Sequence, residues 1–368
     1  MNNTLLKLCQ MSRPDPIILA LFQKRIDGDD ALLHLASLRF KEACLGTELY
    51  AKTPDELDWL LRFKPARETP SVIHMHRGVN ILEEGSRKLI MDFASCVKEQ
   101  VFGLVIHDQV EIATRPGEYL AAVREIESGL KGLEGSPYVL IEYAVGLDPE
   151  IFLKLFERTH DLERVSACVD IGHIGIWQTR DTYSRNHPGE DVCALTPYDP
   201  RLLNVINDVE VAVNSALPTV LDVIKGLGNL KKHVHFHLHD GHPLSTFSSF
   251  GISDHMSFLD EIPIPFEYKG ERTLHPMFGP SGLSRIVTES LRSFGDRISF
   301  TLEIHPSEGR LPLGGTSYLF NHWEDKTNAE RMNYWLSVIL KNHKLLLKAC
   351  KNDIGDKSHE TTRKDDHL

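Results

Sequence analysis

Six short apolar runs in this chain end in side chains that can bind a metal ion or move a proton. The runs are SVIHMH, FGLVIHD, YVLIE, SACVDIGH, HVHFHLHD and ISFTLE. Each has the length and the β-branched, apolar character of a buried strand. The chemically capable residues at or near their ends are His76, His107, Glu142, Asp170, His173, His237, His239, Asp240 and Glu303.

Three carboxylates and one imidazole form the centre of this set: Glu142, Asp170, Glu303 and His237. A mixed oxygen and nitrogen ligand set suits Mn²⁺, Mg²⁺, Co²⁺ or Zn²⁺, and it includes no thiolate that would favour softer metals. The sequence therefore predicts a divalent metal site built from these four side chains.

Further imidazoles at the same strand ends extend the prediction to a second metal ion. His76, His107 and His173 would suit zinc, with Glu142 shared between two zinc ions. His239 and Asp240 follow His237 directly, so we expect them at the rim of the site as substrate contacts.

The elements that carry these residues alternate between strand and helix patterns. Such alternation predicts a parallel sheet of the α/β class, and seven or eight strands fit a (β/α)₈ TIM barrel spanning 16–350. Long insertions after strands 6 and 7, at 177–200 and 241–280, are expected as loops on the catalytic face. An irregular arm is predicted at 1–15 and a disordered polar tail at 351–368.

Composition limits the classes of partner. The formal net charge is −11, which argues against nucleic acid because phosphate binding usually needs a basic surface. No apolar stretch is long enough for a membrane span, and no secretory signal is evident at the N-terminus. The six cysteines form no CxxC pair. We therefore expect a cytoplasmic protein with reduced thiols, a small-molecule substrate and no membrane partner.

The order of four motifs resembles the xylose isomerase-like TIM-barrel superfamily, over roughly residues 70–305. The motifs are IE-x-x-x-G at 141–146, VDIGH at 169–173, HxHD at 237–240 and LE at 302–303. That superfamily includes sugar isomerases, ketose 3-epimerases and endonuclease IV-type enzymes. The resemblance also implies a homo-oligomer, since such barrels are often dimers or tetramers.

The epimerase branch implies one set of roles. There the matching Glu142, Asp170, His237 and Glu303 bind one divalent metal, and the two glutamates also transfer protons as the catalytic residues. His173 resembles the residue of that branch that contacts a substrate oxygen.

The endonuclease IV branch implies another set of roles. Histidines at the positions of His76 and His107 join a multinuclear zinc site in that family. A later motif supplies two more ligands, of which His275 matches the histidine, whereas Thr273 stands in place of the aspartate.

Two functions follow from these interpretations. The first, which the acidic charge and long loops favour, is a metal-dependent isomerase or epimerase acting on a sugar, polyol or related hydroxy-carbonyl compound. The alternative is a two-metal zinc hydrolase of a phosphoester, for which His76 and His107 are the main support.

Overall fold

Eight parallel strands close into a barrel in chain order, with β1 paired to β8. This computed structural model describes residues 16–22, 29–65, 69–97, 100–195, 199–245, 276–304 and 327–362. The predicted (β/α)₈ barrel is therefore confirmed. The strands are β1 Ile17–Phe22, β2 Gly46–Ala51, β3 Ser71–Met75, β4 Gly103–His107, β5 Tyr138–Glu142, β6 Val165–Asp170, β7 Val234–Leu238 and β8 Ile298–Leu302.

Helices follow the strands and surround the barrel. Several begin at side-chain caps: Thr53 accepts the backbone N–H of Glu56 at 3.2 Å, and Asp148 accepts that of Glu150 at 2.8 Å. The described helices are α1 Asp30–Glu42, α2 Pro54–Leu61, α3 Glu84–Val97, α4 Glu111–Thr114, α5 Pro116–Lys131, α6 Pro149–Arg158, α7 Ile171–Asn186, α8 Leu202–Asn214, α9 Ala216–Leu227, α10 Gly279–Phe294 and α11 Asn328–Thr362.

The insertion after β6 differs from the prediction. Residues 177–186, expected as the start of a long loop, belong to α7, which begins directly after β6. Asp170 caps this helix by accepting the backbone N–H of His173 at 2.8 Å, so no loop is needed between strand and helix. Helices α8 and α9 then complete the insertion before β7.

Other predicted segments lie wholly or partly outside the described residues. Of the segment after β7, residues 246–275 are not described, and neither are the arm at 1–15 and residues 363–368 of the tail. The last helix is assigned through Thr362, beyond the predicted barrel boundary at 350. The division into arm, barrel and tail stays a prediction. Within the described parts of the chain, no helix is long and apolar enough to cross a membrane.

On β3 to β6 the barrel interior has apolar side chains beneath polar ones. Leu19, Val72, Val105, Leu140 and Cys168 form a small buried cluster separate from the main core between sheet and helices. Side chains on one face of a strand recur every two residues. The next inward positions on β3, β4, β5 and β6 are therefore His74, His107, Glu142 and Asp170.

Candidate metal centre

Four predicted ligands converge at the C-terminal mouth of the barrel. One ligand atom from each of Glu142, Asp170, His237 and Glu303 lies within 4.8 Å of the others, and all four residues are buried. Strand pairing produces this arrangement, since Asp170 on β6 lies opposite His237 on β7 in the parallel register. These groups could hold a metal ion.

The imidazole of His237 lies at the centre of the four. Its Nδ1 is 3.3 Å from Glu142 Oε1, 3.3 Å from Glu303 Oε2 and 4.0 Å from Asp170 Oδ2. A single nitrogen carries at most one proton, so it cannot donate a hydrogen bond to all three carboxylates at once. A divalent cation would bind all three.

Glu142 also faces a second group of ligands on the preceding strands. His74 Nε2 lies 2.9 Å from Glu142 Oε2, and His107 Nε2 lies 3.5 Å from the same oxygen. His237 approaches the other oxygen, Oε1. The two oxygens of one carboxylate therefore point towards two different sets of imidazole nitrogens, which is the arrangement of a bridging ligand.

The tautomer of His74 makes its nitrogen available to a metal ion. His74 Nδ1 lies 3.1 Å from the carbonyl oxygen of Met75, which can only accept a hydrogen bond, so Nδ1 carries the proton. In the neutral ring, the Nε2 lone pair then faces Glu142 Oε2. Burial lowers the pKa of His74, but the Glu142 and Glu48 carboxylates more than offset this and raise it. A proton or a cation must therefore lie between these two atoms.

Buried polar atoms in the cluster support the same interpretation. Among the described residues, Asp170 Oδ2 makes no hydrogen bond although it is fully shielded from water, and the neighbours of Glu142 Oε2 are the ring nitrogens of His74 and His107. Buried carboxylate oxygens are normally satisfied, because an unpaired one costs several kcal/mol, on the order of 2–7 kcal/mol even for a neutral polar group. The donor set and its unsatisfied oxygen fit a hard or borderline divalent cation.

Electrostatics keep two of the candidate ligands, Glu142 and His107, in forms that bind metal. Burial by itself raises the pKa of Glu142, but the facing His237, His107 and His74 hold it well below the ordinary value. Burial lowers the pKa of His107 to about 4, so that ring is neutral near pH 7. An ionised carboxylate and a neutral imidazole are the forms that coordinate metals. Burial lowers the pKa of His237, but the surrounding acidic groups more than offset this and raise it well above the ordinary value, so a metal ion would have to displace a proton from that ring.

A third group adjoins the first through Asp170. Ligand atoms of Asp170, His173 and His239 lie within 4.8 Å of one another. His239 Nε2 is 2.8 Å from Asp170 Oδ1, and His173 Nδ1 lies 3.2 Å from the carbonyl oxygen of Tyr143. Both histidines, which we expected to contact substrate, therefore lie beside Asp170.

The structure does not bring His76 to the cluster. Strand β3 ends at Met75, and His76 is exposed in the following turn, where its Nδ1 accepts the backbone N–H of Gly78 at 3.0 Å. The sequence placed the strand end one residue too late. His74 holds the inward position instead.

The side chain of Asp240 accepts hydrogen bonds from backbone N–H groups, and its predicted contact with a substrate stays a prediction. Its Oδ1 accepts the backbone N–H of Gly241 at 2.8 Å and that of Phe278 at 3.3 Å, and its Oδ2 accepts that of Gly279 at 2.8 Å. Both oxygens thus hold the first turn of α10. His275, a predicted ligand, lies outside the described residues.

Two residues of β2 that the sequence did not single out also reach the centre. Glu48 is completely buried, and its Oε1 lies 3.3 Å from His237 Nε2. Tyr50 donates a hydrogen bond from its hydroxyl to Glu303 Oε1 at 3.3 Å. The available signal was the charged Glu48 within the otherwise strand-like GTELYA, two residues before the tyrosine.

A groove beside the cluster gives a small molecule room to bind. It has a volume of about 410 Å³ and is lined by His173, Trp177 and Arg180 of α7, together with the loop 144–146 that follows β5. Arg180 is held by an ion pair with Asp191 at 2.6 Å. Pockets of this size are typical of small-ligand sites.

The fold and the cluster define a class: a (β/α)₈ barrel with a candidate metal centre where the strands end. No protein-family model matches the sequence, and a search of curated proteins gives no match either.

Proposed function

We propose that this protein is a divalent-metal-dependent hydrolase that cleaves a phosphoester in a small molecule at a dinuclear centre. The observation that carries the proposal is the position of Glu142, whose Oε2 faces His74 and His107 while its Oε1 faces His237. Two-metal sites with a shared carboxylate are typical of phosphatases and nucleases.

The ligands divide between two positions. Glu142, Asp170, His237 and Glu303 would hold one ion, and His74 with His107 would hold the second, with Glu142 common to both. The pair would polarise the phosphoryl group and make water a nucleophile at neutral pH. Zinc suits the site with two imidazoles, although Mn²⁺, Mg²⁺ and Co²⁺ fit the carboxylate-rich one.

The protein's own groups support this chemistry by fixing the ligands. The hydroxyl of Tyr50 orients Glu303 through its hydrogen bond, and the carbonyl of Met75 orients His74. The groove along α7 would receive the part of the substrate that does not react. The net charge of −11 argues for a small substrate over a nucleic acid.

A second candidate is an isomerase or epimerase acting on a sugar or polyol with one metal ion. Glu142 and Glu303 both approach His237 Nδ1 at 3.3 Å, so two carboxylates border one metal position and could exchange protons with a substrate carbon. The resemblance to the xylose isomerase-like superfamily supports both candidates, because its branches include each chemistry.

The test is hydrolysis of 4-nitrophenyl phosphate and bis(4-nitrophenyl) phosphate by protein loaded with Zn²⁺, Mn²⁺, Mg²⁺ or Co²⁺. We expect turnover that His107→Ala reduces by at least about 100-fold, in line with losses seen when charge-stabilising groups are removed. The exposed His76→Ala serves as the matched control. Solvent deuterium exchange into a panel of ketoses, with unchanged exchange in His107→Ala, would favour the isomerase and contradict the hydrolase.

A further inference from the structure

The interior of this barrel is unusually polar below the metal centre. Interior positions of (β/α)₈ barrels are normally filled by branched apolar side chains. Here the inward residues of β7 and β8 are histidines and hydroxyls, and Glu48 of β2 lies among them with no exposed surface. The polar residues in this column are Glu48, His233, His235, His237, Ser299 and Thr301.

Hydrogen bonds join the lower part of this column. Ser299 Oγ lies 2.6 Å from His235 Nδ1 and 2.7 Å from His233 Nε2, and Thr301 Oγ1 lies 3.1 Å from His235 Nε2. His235 is thus fixed on both ring nitrogens. Its Nε2 also lies 3.6 Å from Glu48 Oε2. One oxygen of Glu48 therefore faces a histidine ring whose orientation Ser299 and Thr301 fix.

The other oxygen of Glu48 faces the metal centre from below. Glu48 Oε1 lies 3.3 Å from His237 Nε2, the ring nitrogen opposite to the one that faces Glu142 and Glu303, although the two atoms do not meet hydrogen-bond geometry.

We propose that Glu48 is a positioning residue that fixes the ring and the tautomer of His237. A carboxylate at Nε2 keeps the proton on that nitrogen and leaves the Nδ1 lone pair directed at the three ligand carboxylates. Metal-binding histidines commonly donate their second N–H to such a carboxylate. The inference rests on the proposed metal centre. Glu48, His74 and His237 also form a group that could hold a metal ion, so the number of bound ions in Glu48 variants separates a positioning residue from a ligand.

The burial of Glu48 supports a role beyond packing. A carboxylate removed from water is costly unless it is paired. Apolar side chains can often replace a whole buried ion pair without loss of stability, whereas removal of one partner alone is destabilising. The metal-free stability of a leucine variant must therefore be measured separately from its metal affinity. A residue that positions His237 would lose metal affinity on replacement by leucine.

The experiment compares Glu48→Gln and Glu48→Leu with wild type, using Zn²⁺ alone in competition with a chromophoric chelator. The matched control is Glu127→Gln, because Glu127 is also a buried glutamate but accepts the backbone N–H groups of Glu163 and Arg164 at 2.8 Å on the outside of the barrel. Unfolding by urea in excess chelator measures the stability of each metal-free protein.

We expect Glu48→Leu to weaken Zn²⁺ binding to the folded protein by about 10–100-fold, and Glu48→Gln to recover most of the affinity because it keeps an oxygen acceptor. The urea measurement separates this loss of affinity from any loss of metal-free stability. The visible spectrum of the Co²⁺-loaded protein should change in Glu48→Leu and stay unchanged in Glu127→Gln.

Three results would overturn the inference. Equal Zn²⁺ affinity in wild type and Glu48→Leu would exclude a positioning role for Glu48 but would leave the proposed metal centre intact. Loss of one whole equivalent of zinc in Glu48→Gln, with the remaining affinity unchanged, would make Glu48 a direct ligand. Absence of Zn²⁺ binding by wild type would refute the proposed function and this inference together.

Discussion

The close approach of Gly172 to His239 provides a sharp test of how the centre is packed. Gly172 is the second residue of α7, and a Cβ built there would lie 2.5 Å from Nδ1 and 2.6 Å from Nε2 of the His239 ring. That ring is fully buried, and its Nε2 contacts Asp170 Oδ1 at 2.8 Å. Gly172→Ala must therefore displace the ring.

The expected cost follows from these contacts. Overpacking a well-packed interior costs about 1–3 kcal/mol, and losing the hydrogen bond to an ionised carboxylate costs about 1.5–3 kcal/mol. Against this cost, alanine stabilises a helix by at most about 1 kcal/mol relative to glycine. We expect Gly172→Ala to lower the free energy of unfolding by about 2–5 kcal/mol, measured by urea denaturation in excess chelator.

A double-mutant cycle isolates the contact. His239→Ala removes the ring, so Gly172→Ala should cost almost nothing in that background, and the coupling should be about 2 kcal/mol or more. The control is Gly85→Ala, at the second position of α3, where a Cβ would meet nothing within 4 Å. Additive effects of the Gly172 and His239 substitutions would refute the described packing.

Three further outcomes are expected. His107→Ala should lose one equivalent of metal by elemental analysis while His76→Ala keeps all of it, because His107, unlike His76, borders Glu142. Equal metal contents in the two variants would contradict the two-position assignment. Burial lowers the pKa of His343 in α11 to about 4, below its unfolded value of about 6.5, so its stabilising contribution is complete above pH 6.5 and is lost as the pH falls towards 4. His343→Leu should therefore reduce the loss of unfolding free energy between pH 7 and 4.5 by about 2–3 kcal/mol, and an unchanged loss would exclude a neutral buried imidazole. Asp240→Ala should destabilise the protein by about 1–3 kcal/mol in urea, since it removes the acceptor for Gly279 and its neighbours, and unchanged stability would contradict this structural role.

The barrel was predictable because each strand is marked by its own composition. Buried parallel strands are nearly continuous apolar runs, and helices with capping residues separate them. The convergence of Glu142, Asp170, His237 and Glu303 then follows from closure, since parallel strands deliver their C-terminal ends to one mouth.

The features that the sequence did not predict depend on where one strand ends and on contacts between strands that are far apart in the chain. The sequence predicts His76 as a ligand, but β3 ends at Met75, so His74 points into the barrel instead. An apolar run in a sequence does not locate the end of a strand to within one residue. Glu48 belongs to β2, and its contact with His237 of β7 exists only after the sheet has closed. The sequence predicts Asp170 as a ligand, but it did not predict that the same residue caps α7 and that this helix begins directly after β6.

The most direct test of the metal centre is anomalous diffraction from crystals of the purified protein at the absorption edge of the metal it carries. We predict two anomalous peaks per chain, about 3.5–4 Å apart on either side of Glu142, one near His74 and His107 and the other near His237. A single peak bounded only by Glu142, Asp170, His237 and Glu303, or no peak at all in active protein, would contradict the dinuclear centre.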